Sequence, residues 1–168
     1  MLAMAGVGML TSIGIEACRD NFGSKVTGRG ASNPRLLVYG ECRVGGTITQ
    51  MQTTGTDNTK LCMFVVLTGH AIEGLLRVRF NDTLITHSET IANDTTINAT
   101  NTAFINTNNS NNMGSGRLVR FVAFDGSQTA RCTLAASTLG NTFCPTTHKF
   151  TDCAYVYFEI IYDAEKVN

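Results

Sequence analysis

The stretch Leu36–Gly69, LLVYGECRVGGTITQMQTTGTDNTKLCMFVVLTG, carries the densest β pattern in the chain. Its first run, LLVYGEC, is β-branched and aromatic and predicts a short strand that ends at Val44-Gly45-Gly46. The next run, GTITQMQTT, alternates in polarity, but neither of its faces is fully apolar, which indicates a strand near a sheet edge or an interface. Strict alternation places Ile48, Gln50 and Gln52 on one face and Thr47, Thr49, Met51 and Thr53 on the other.

Three further runs predict strands, and two of them have the apolar pattern of central strands. Gly55-Thr56-Asp57-Asn58 favours a tight turn, and KLCMFVVLTG after it is almost entirely apolar, as expected of a strand covered on both faces. RLVRFVAFDG, residues 117–126, predicts another strand with a turn at Asp125-Gly126. AYVYFEIIY, residues 154–162, is apolar on both faces, so we expect it to be central or to lie at a subunit contact.

Two shorter segments complete the expected fold. LLRVRF, residues 75–80, alternates so that Leu76, Val78 and Phe80 should face inward, with Arg77 and Arg79 as a solvated face. Helical spacing of Ala130, Leu134 and Ala135 predicts one short helix within residues 128–139, in the C-terminal third. The predicted class is mainly β with minor α+β character: an antiparallel sheet or barrel-like domain, with a short N-terminal helix or arm.

Composition divides the chain into two parts. Met1–Ile15 is uncharged and too short to span a bilayer, so we interpret it as a short helix or arm that packs on a partner, with a signal peptide as the alternative. Residues 19–33 have the composition of a connector. We therefore assign 1–33 to an arm and linker and 34–168 to a β-rich domain, with an Asn/Thr-rich excursion at 93–116.

Charge and cysteine content narrow the function classes. The chain has 168 residues, with 13 basic and 13 acidic side chains, so a net charge of zero argues against specific nucleic-acid binding. Only 15% of residues are charged, which suits surfaces covered by neighbouring subunits. The six cysteines form no C-x-x-C pair, and we favour reduced, structural thiols over disulfides.

Catalytic motifs are missing from the sequence. It contains no H-E-x-x-H, G-x-S-x-G, P-loop or dinucleotide fingerprint, so we expect no enzyme activity, no catalytic or metal residues and no cofactor. Cys144 and His148 could form a nucleophile pair, but in a Pro-containing loop such a pair is usually structural. A carbohydrate-binding or adhesin β module that contacts the host surface remains the alternative class, although the chain has no Trp for a sugar platform.

Four segments resemble a known family. VYGECRVGGTI, and TTGTDNTKLCMFVVLTGHAIEGLLRVRFND after it, are similar to the N-terminal hub region of the tail-tip (host-specificity or central tail fibre) proteins of lambda-like siphophages. RLVRFVAFDGSQTA and HKFTDCAYVYFEIIYDAEKV match later segments of that region in the same order. The resemblance covers about residues 34–167 except for the excursion. This chain departs from the family in lacking Trp, in Ile72 and Thr151-Asp152, and above all in length.

The resemblance implies a structural virion protein of the tail tip or baseplate hub, made in the bacterial cytoplasm. Such a protein forms a homotrimeric ring that closes the tail tube. It meets the distal tail protein, the tape-measure C-terminus and other hub and fibre proteins, and it reaches the host envelope only indirectly. The residues we expect at assembly interfaces are Met4, Met9, Ile13, Ile48, Met51, Phe104, Ile105, Tyr155 and Tyr157.

Overall fold

The structure is a computed structural model that describes residues 35–80 and 82–166, together with the backbone of Gly28–Arg29. The predicted arm, including Met4, Met9 and Ile13, lies outside the described residues. The main sheet contains five antiparallel strands and, along one edge, a two-residue strand that pairs in parallel, in the order β1-β2-β3-β8-β7-β6. Its strands are β1 (Gly28–Arg29), β2 (Thr47–Thr54), β3 (Lys60–Val66), β6 (Thr96–Asn98), β7 (Val119–Phe124) and β8 (Tyr155–Ile161).

The mainly β, antiparallel class is confirmed, and so are the predicted central strands. β8 lies between β3 and β7 and all seven of its residues are buried, as expected from its apolar faces. β1 falls within the predicted linker and pairs with Thr47 and Ile48 of β2. Within the described residues the sheet stays open and no closed barrel forms.

A β-bulge changes the predicted faces of β2. The turn to β3 is confirmed, with Asp57 and Asn58 at positive φ. The register shifts between Ile48 and Gln50, because Ile48 pairs with Val65 whereas Gln50 pairs with Phe64. The bulge moves Ile48 onto the same face as Met51, so the strict alternation predicted for this strand is wrong at that point.

The predicted strand at LLVYGEC is not a strand. The segment is extended, but its backbone bonds go to a loop: Leu36 O accepts from Gly69 N at 3.0 Å, and Val38 N donates to Nε2 of His70 at 3.0 Å. Alternation survives, since Leu36 and Val38 are half-buried while Leu37 and Tyr39 are exposed. The local sequence predicts an extended backbone, but whether a neighbouring strand pairs with it depends on the rest of the fold.

The LLRVRF segment is also mostly irregular. Only β4 (Arg79–Phe80) forms, in a two-stranded sheet with β5 (Thr83–Leu84), and Val78 is buried as predicted. Leu76 was expected to face inward but is 68% exposed, and Leu75 packs against the core in its place. A period of two does not continue through the irregular residues before β4.

The sheet has two differently covered faces. The loop-covered face is apolar and packs under side chains of the 67–118 region, chiefly Val78, Ile85 and Phe104. The helix-covered face packs under α1 (Thr133–Phe143). The strand residues of the first face include Val65, Phe121, Ala123, Val156, Phe158 and Ile160, and those of the second include Cys62, Phe64, Val66, Val122, Phe124, Tyr155 and Tyr157.

The short helix in the C-terminal third is confirmed, although it begins and ends later than predicted. The Sγ atom of Cys132 caps it by accepting from Ala135 N at 3.4 Å, and Gly140, at φ 68°, breaks its last turn. Cys42, Cys62, Cys132, Cys144 and Cys153 are free thiols. Among the helices that the structure describes, none has the length and hydrophobicity to cross a membrane.

The Asn/Thr-rich excursion is ordered by contacts with the domain. It contains β6 and a 3-10 turn at Thr102–Phe104, and Ile97 is fully buried. Nδ2 atoms of Asn106 and Asn109 donate to Oδ2 of Asp163 at 2.9 and 2.8 Å. Asparagine amides thus replace apolar burial in fastening the outer part of this segment.

Candidate assembly surface

The residues predicted at interfaces fall into three groups. Phe104, Tyr155 and Tyr157 are buried in the core of the single chain, so their assignment to a subunit contact is corrected: intramolecular packing already covers their side chains. Ile48 and Ile105 are half-buried, and Met51, at 36% exposure, is the most accessible of the described candidates. The structure therefore brings together only Ile48 and Met51, side by side on β2.

The outer edge of β2 is paired over only part of its length by the residues that the structure describes. β1 covers it at Thr47 and Ile48, but among the residues that the structure describes no strand pairs with the outer side of Gln50–Thr54. This five-residue segment carries no charge and no proline. It therefore lacks two of the features with which proteins block an exposed edge, although the bulge between Ile48 and Gln50, which is a third, lies at its start.

A loop meets the end of β6, the strand at the opposite edge of the same sheet. Thr100 N, two residues after β6, donates to Thr86 O at 2.8 Å, and Asn98 Nδ2 donates to Oε1 of Glu89 at 3.1 Å. Asn101 Nδ2 also donates to the carbonyl of Leu84 at 3.3 Å. Two asparagine amides and one backbone bond thus join residues 84–89 to Asn98, Thr100 and Asn101 at the end of β6.

The extended 35–46 segment carries exposed apolar side chains that the sequence analysis did not predict. Tyr39 is 85% exposed and stacks on His70, with ring centroids 6.0 Å apart. The His70 ring is fixed in one tautomer, because Nε2 accepts from Val38 N while Nδ1 faces the Ala71 carbonyl at 2.7 Å. The aromatic and β-branched composition of LLVYGEC was used to predict a short strand and not an exposed surface. Other exposed large apolar residues are Leu37, Leu76, Phe143 and Tyr162.

A buried ion network lies on the helix-covered face, away from α1. Glu159 has a fully buried side chain, and its Oε2 accepts from Arg120 Nε at 2.7 Å and lies 3.8 Å from Lys60 Nζ. Tyr157 donates from its hydroxyl to Oε1 at 3.0 Å. Because both carboxylate oxygens are engaged, the network suits a structural role that holds β3, β7 and β8 in register.

Burial shapes the titration of the groups around this network. It raises the pKa of the Tyr157 phenol, and the adjacent Glu159 carboxylate adds to the increase. Burial likewise raises the pKa of the Cys62 thiol. Both groups therefore stay protonated at neutral pH, which makes Tyr157 a hydrogen-bond donor and Cys62 a small apolar side chain.

The possible nucleophile pair is unsuited to that chemistry. Burial raises the pKa of the Cys144 thiol and lowers the pKa of His148. His148 packs on Phe64 and Phe150, with ring centroids 4.7 and 4.5 Å away, and its buried Nδ1 has no hydrogen-bond partner. Over the described part of the chain, no three His, Cys, Asp or Glu side chains are arranged to hold a metal ion.

Comparison with known proteins identifies no relative: no family model, no curated protein and no solved structure matches this chain.

Proposed function

We propose that this chain is a structural protein of a phage tail tip or baseplate hub, which assembles as a homotrimeric ring that closes the tail tube. In the virion it would connect the distal tail protein, the tape-measure C-terminus and the other hub and fibre proteins. The observation that carries the proposal is the order of four tail-tip-like segments along residues 34–167. An assembly role is supported by the edge at Gln50–Thr54, which no strand covers among the described residues, and by Met51, which is 36% exposed there.

Residues within the resembling segments have demanding structural positions. A Cβ at Gly46 would lie 2.6 Å from both Val65 Cγ1 and Val66 O, which leaves room only for glycine. His70 binds Val38 N and Ala71 O through its two ring nitrogens. These motif residues hold the fold, as expected if the resemblance reflects a shared scaffold rather than a shared ligand site.

Quantitative mass spectrometry of purified virions and of detached tails tests the proposal. We expect about three copies per particle, retained with the tail tips. Absence from particles, or hundreds of copies along the tube or capsid, would overturn it.

A deletion tests whether the N-terminal arm joins the domain to the tail. Removing residues 1–29 should leave a folded domain that fails to assemble into tails. The matched control removes residues 1–27 and so retains Gly28 and Arg29, which pair with β2. If the longer deletion abolishes folding and the control does not, β1 is part of the domain rather than of the arm.

One observation favours a second candidate function, a carbohydrate-binding module. Tyr39 offers an aromatic face 85% exposed to solvent beside a polar ring, which is the kind of platform that sugars stack on. Glycan-array binding that is lost in Tyr39→Ala but kept in Leu76→Ala, a change at another exposed apolar residue, would support this candidate.

A further inference from the structure

A polar groove of about 420 Å³ lies between residues 106–111 of the excursion and residues 162–165, which follow β8. The excursion itself has a single aromatic residue, Phe104, and its side chain is buried. The fold brings another aromatic ring to this segment, because Tyr162 lines the groove with 61% of its surface exposed. An aromatic ring and several asparagine side chains, far apart in the sequence, therefore meet at one surface.

The frame of the groove is held by hydrogen bonds within the chain. The carboxylate of the buried Asp163 accepts from the side-chain amides of Asn106 and Asn109 at 2.9 and 2.8 Å. It also accepts from the backbone N–H of Glu165 at 3.0 Å. Asn109 Nδ2 donates in addition to the Tyr162 carbonyl at 3.1 Å. Because these bonds join the two sides, the groove is formed before a ligand enters, which lowers the entropy cost of binding.

Four exposed side chains that line the groove make no hydrogen bond to any described residue. They are two amides, a carboxylate and a phenol hydroxyl, and they belong to Asn108, Asn111, Glu165 and Tyr162. The neighbouring Asn106 and Asn109 differ, because their Oδ1 atoms accept backbone N–H groups two residues ahead, at 3.0 and 2.9 Å. One set of asparagines therefore builds the loop, and the other leaves its donors and acceptors free at the groove.

The charges at the groove argue against an anionic ligand. None of the described residues that line it is basic, and Glu165 adds a carboxylate without an ion-pair partner among them. A phosphate, a nucleotide or an acidic peptide would therefore be repelled. The free groups suit a neutral ligand that has hydroxyl groups for the carboxylate and an apolar face for the tyrosine ring, as a sugar does.

We infer that this groove binds a neutral sugar that carries an N-acetyl group. An acetamido group has one N–H donor and one carbonyl acceptor, and a free asparagine amide can pair with both. The amides of Asn108 and Asn111 would bind the acetamido group, while the sugar ring packs on Tyr162. The site is separate from Tyr39, and it does not depend on the proposed place of the chain in a phage tail.

An NMR titration of the full chain with two matched sugars tests the inference. Chitotetraose and cellotetraose have the same β-1,4-linked backbone, and only chitotetraose carries acetamido groups. Chitotetraose should shift the backbone amide signals of residues 106–111 and 162–165 in a saturable way. Cellotetraose should bind about tenfold more weakly, since it lacks the group that pairs with the asparagines. Equal binding of the two sugars, or no change at these residues with chitotetraose, would overturn the inference.

Substitutions at exposed side chains show whether the sugar occupies this groove. Tyr162→Ala and Asn111→Ala should each weaken chitotetraose binding by about tenfold, because a ring contact or a hydrogen bond is lost. Tyr162→Phe keeps the ring and should bind nearly as well as wild type. The matched control is Tyr39→Ala, which removes another exposed tyrosine and should leave binding unchanged.

The reverse pattern would contradict the assignment of the site. Binding that is lost in Tyr39→Ala but kept in Tyr162→Ala and Asn111→Ala would place the sugar elsewhere and overturn the inference. The copy number of the chain in virions is measured without any sugar. The proposed tail function therefore stands or fails separately from these results.

Discussion

The two faces of the sheet are buried by different means. On the loop-covered face, Phe121 and Phe158 pack with ring centroids 5.9 Å apart beneath irregular segments. On the helix-covered face, the buried Glu159 needs Arg120, Lys60 and the Tyr157 hydroxyl in particular positions. Apolar burial is non-directional, so loops without regular structure can provide it. A buried charge is stable only with correctly placed partners, which makes that face the more specific and the more fragile one.

The largest effect should come from removing an aromatic ring on the loop-covered face. Phe121 is fully buried, and Phe121→Ala should lower the free energy of unfolding by about 3–5 kcal/mol through lost burial and a cavity. Chemical denaturation measures this. Leu76→Ala, at an exposed apolar residue, is the control and should change stability by less than about 0.5 kcal/mol. A loss below about 1 kcal/mol for Phe121→Ala would mean that the loops above it repack freely.

Arg120→Ala should have the next largest effect. It leaves Glu159 buried with only Lys60 and Tyr157 beside it, and we expect a loss of about 3 kcal/mol. The control is Arg43→Ala, which breaks the exposed Arg43–Asp82 pair and should cost less than about 1 kcal/mol. Equal losses in the two variants, measured by urea denaturation, would contradict the conclusion that the buried Glu159 depends on its partners more than an exposed ion pair does.

Two Tyr→Phe substitutions sharpen the comparison within the helix-covered face. Tyr157→Phe removes the hydrogen bond to Glu159 and should destabilise the protein by about 1–2 kcal/mol. Tyr155→Phe removes a buried hydroxyl that has no partner, so it should be neutral or stabilising by up to about 1 kcal/mol. Thermal unfolding of both variants shows whether each substitution lowers or raises stability. Destabilisation by Tyr155→Phe would indicate that the Tyr155 hydroxyl bonds to an ordered water molecule.

The smallest effect concerns the polar loops that lie outside both faces. A hydrogen bond from the Asn93 amide holds the pKa of Asp125 below its ordinary value of 3.8. The unfolded chain binds this proton more readily, so the stabilisation is complete above that value and is lost as the pH falls through the folded pKa. Asn93→Ala should therefore weaken the acid dependence of unfolding below about pH 4. An unchanged pH profile would exclude this contribution.

Strong, continuous patterns predicted the centre of the fold. β3, β7 and β8 were recognised because each is apolar at all but one position, as expected of strands that are covered on both faces. The β2–β3 turn followed from residues that tolerate positive φ, and the helix from the spacing of Ala130, Leu134 and Ala135, although Ala130 lies before the helix begins. These features depend on local sequence, which is why one chain was enough to find them.

Predictions failed where the answer depended on distant residues. The bulge after Ile48 could not be read from an alternating sequence, because it is defined only against β3. LLVYGEC has strand-forming residues, yet its hydrogen bonds go to Gly69 and His70. Tyr155 and Tyr157 were placed at an interface because sequence cannot tell which apolar surface its own chain will cover.

By itself, the sequence determined a mainly β chain, its central strands and its turns, since each follows from residue type and short-range periodicity. Only the tertiary structure decided which apolar side chains the chain covers itself, where the bulge in β2 falls and which partners surround Glu159. Those outcomes depend on segments that are far apart along the chain. Ile48 meets Val65, and Arg120 reaches Glu159, only once the chain has folded. The burial of Tyr155 and Tyr157, and the exposure of Met51, are therefore properties of the fold.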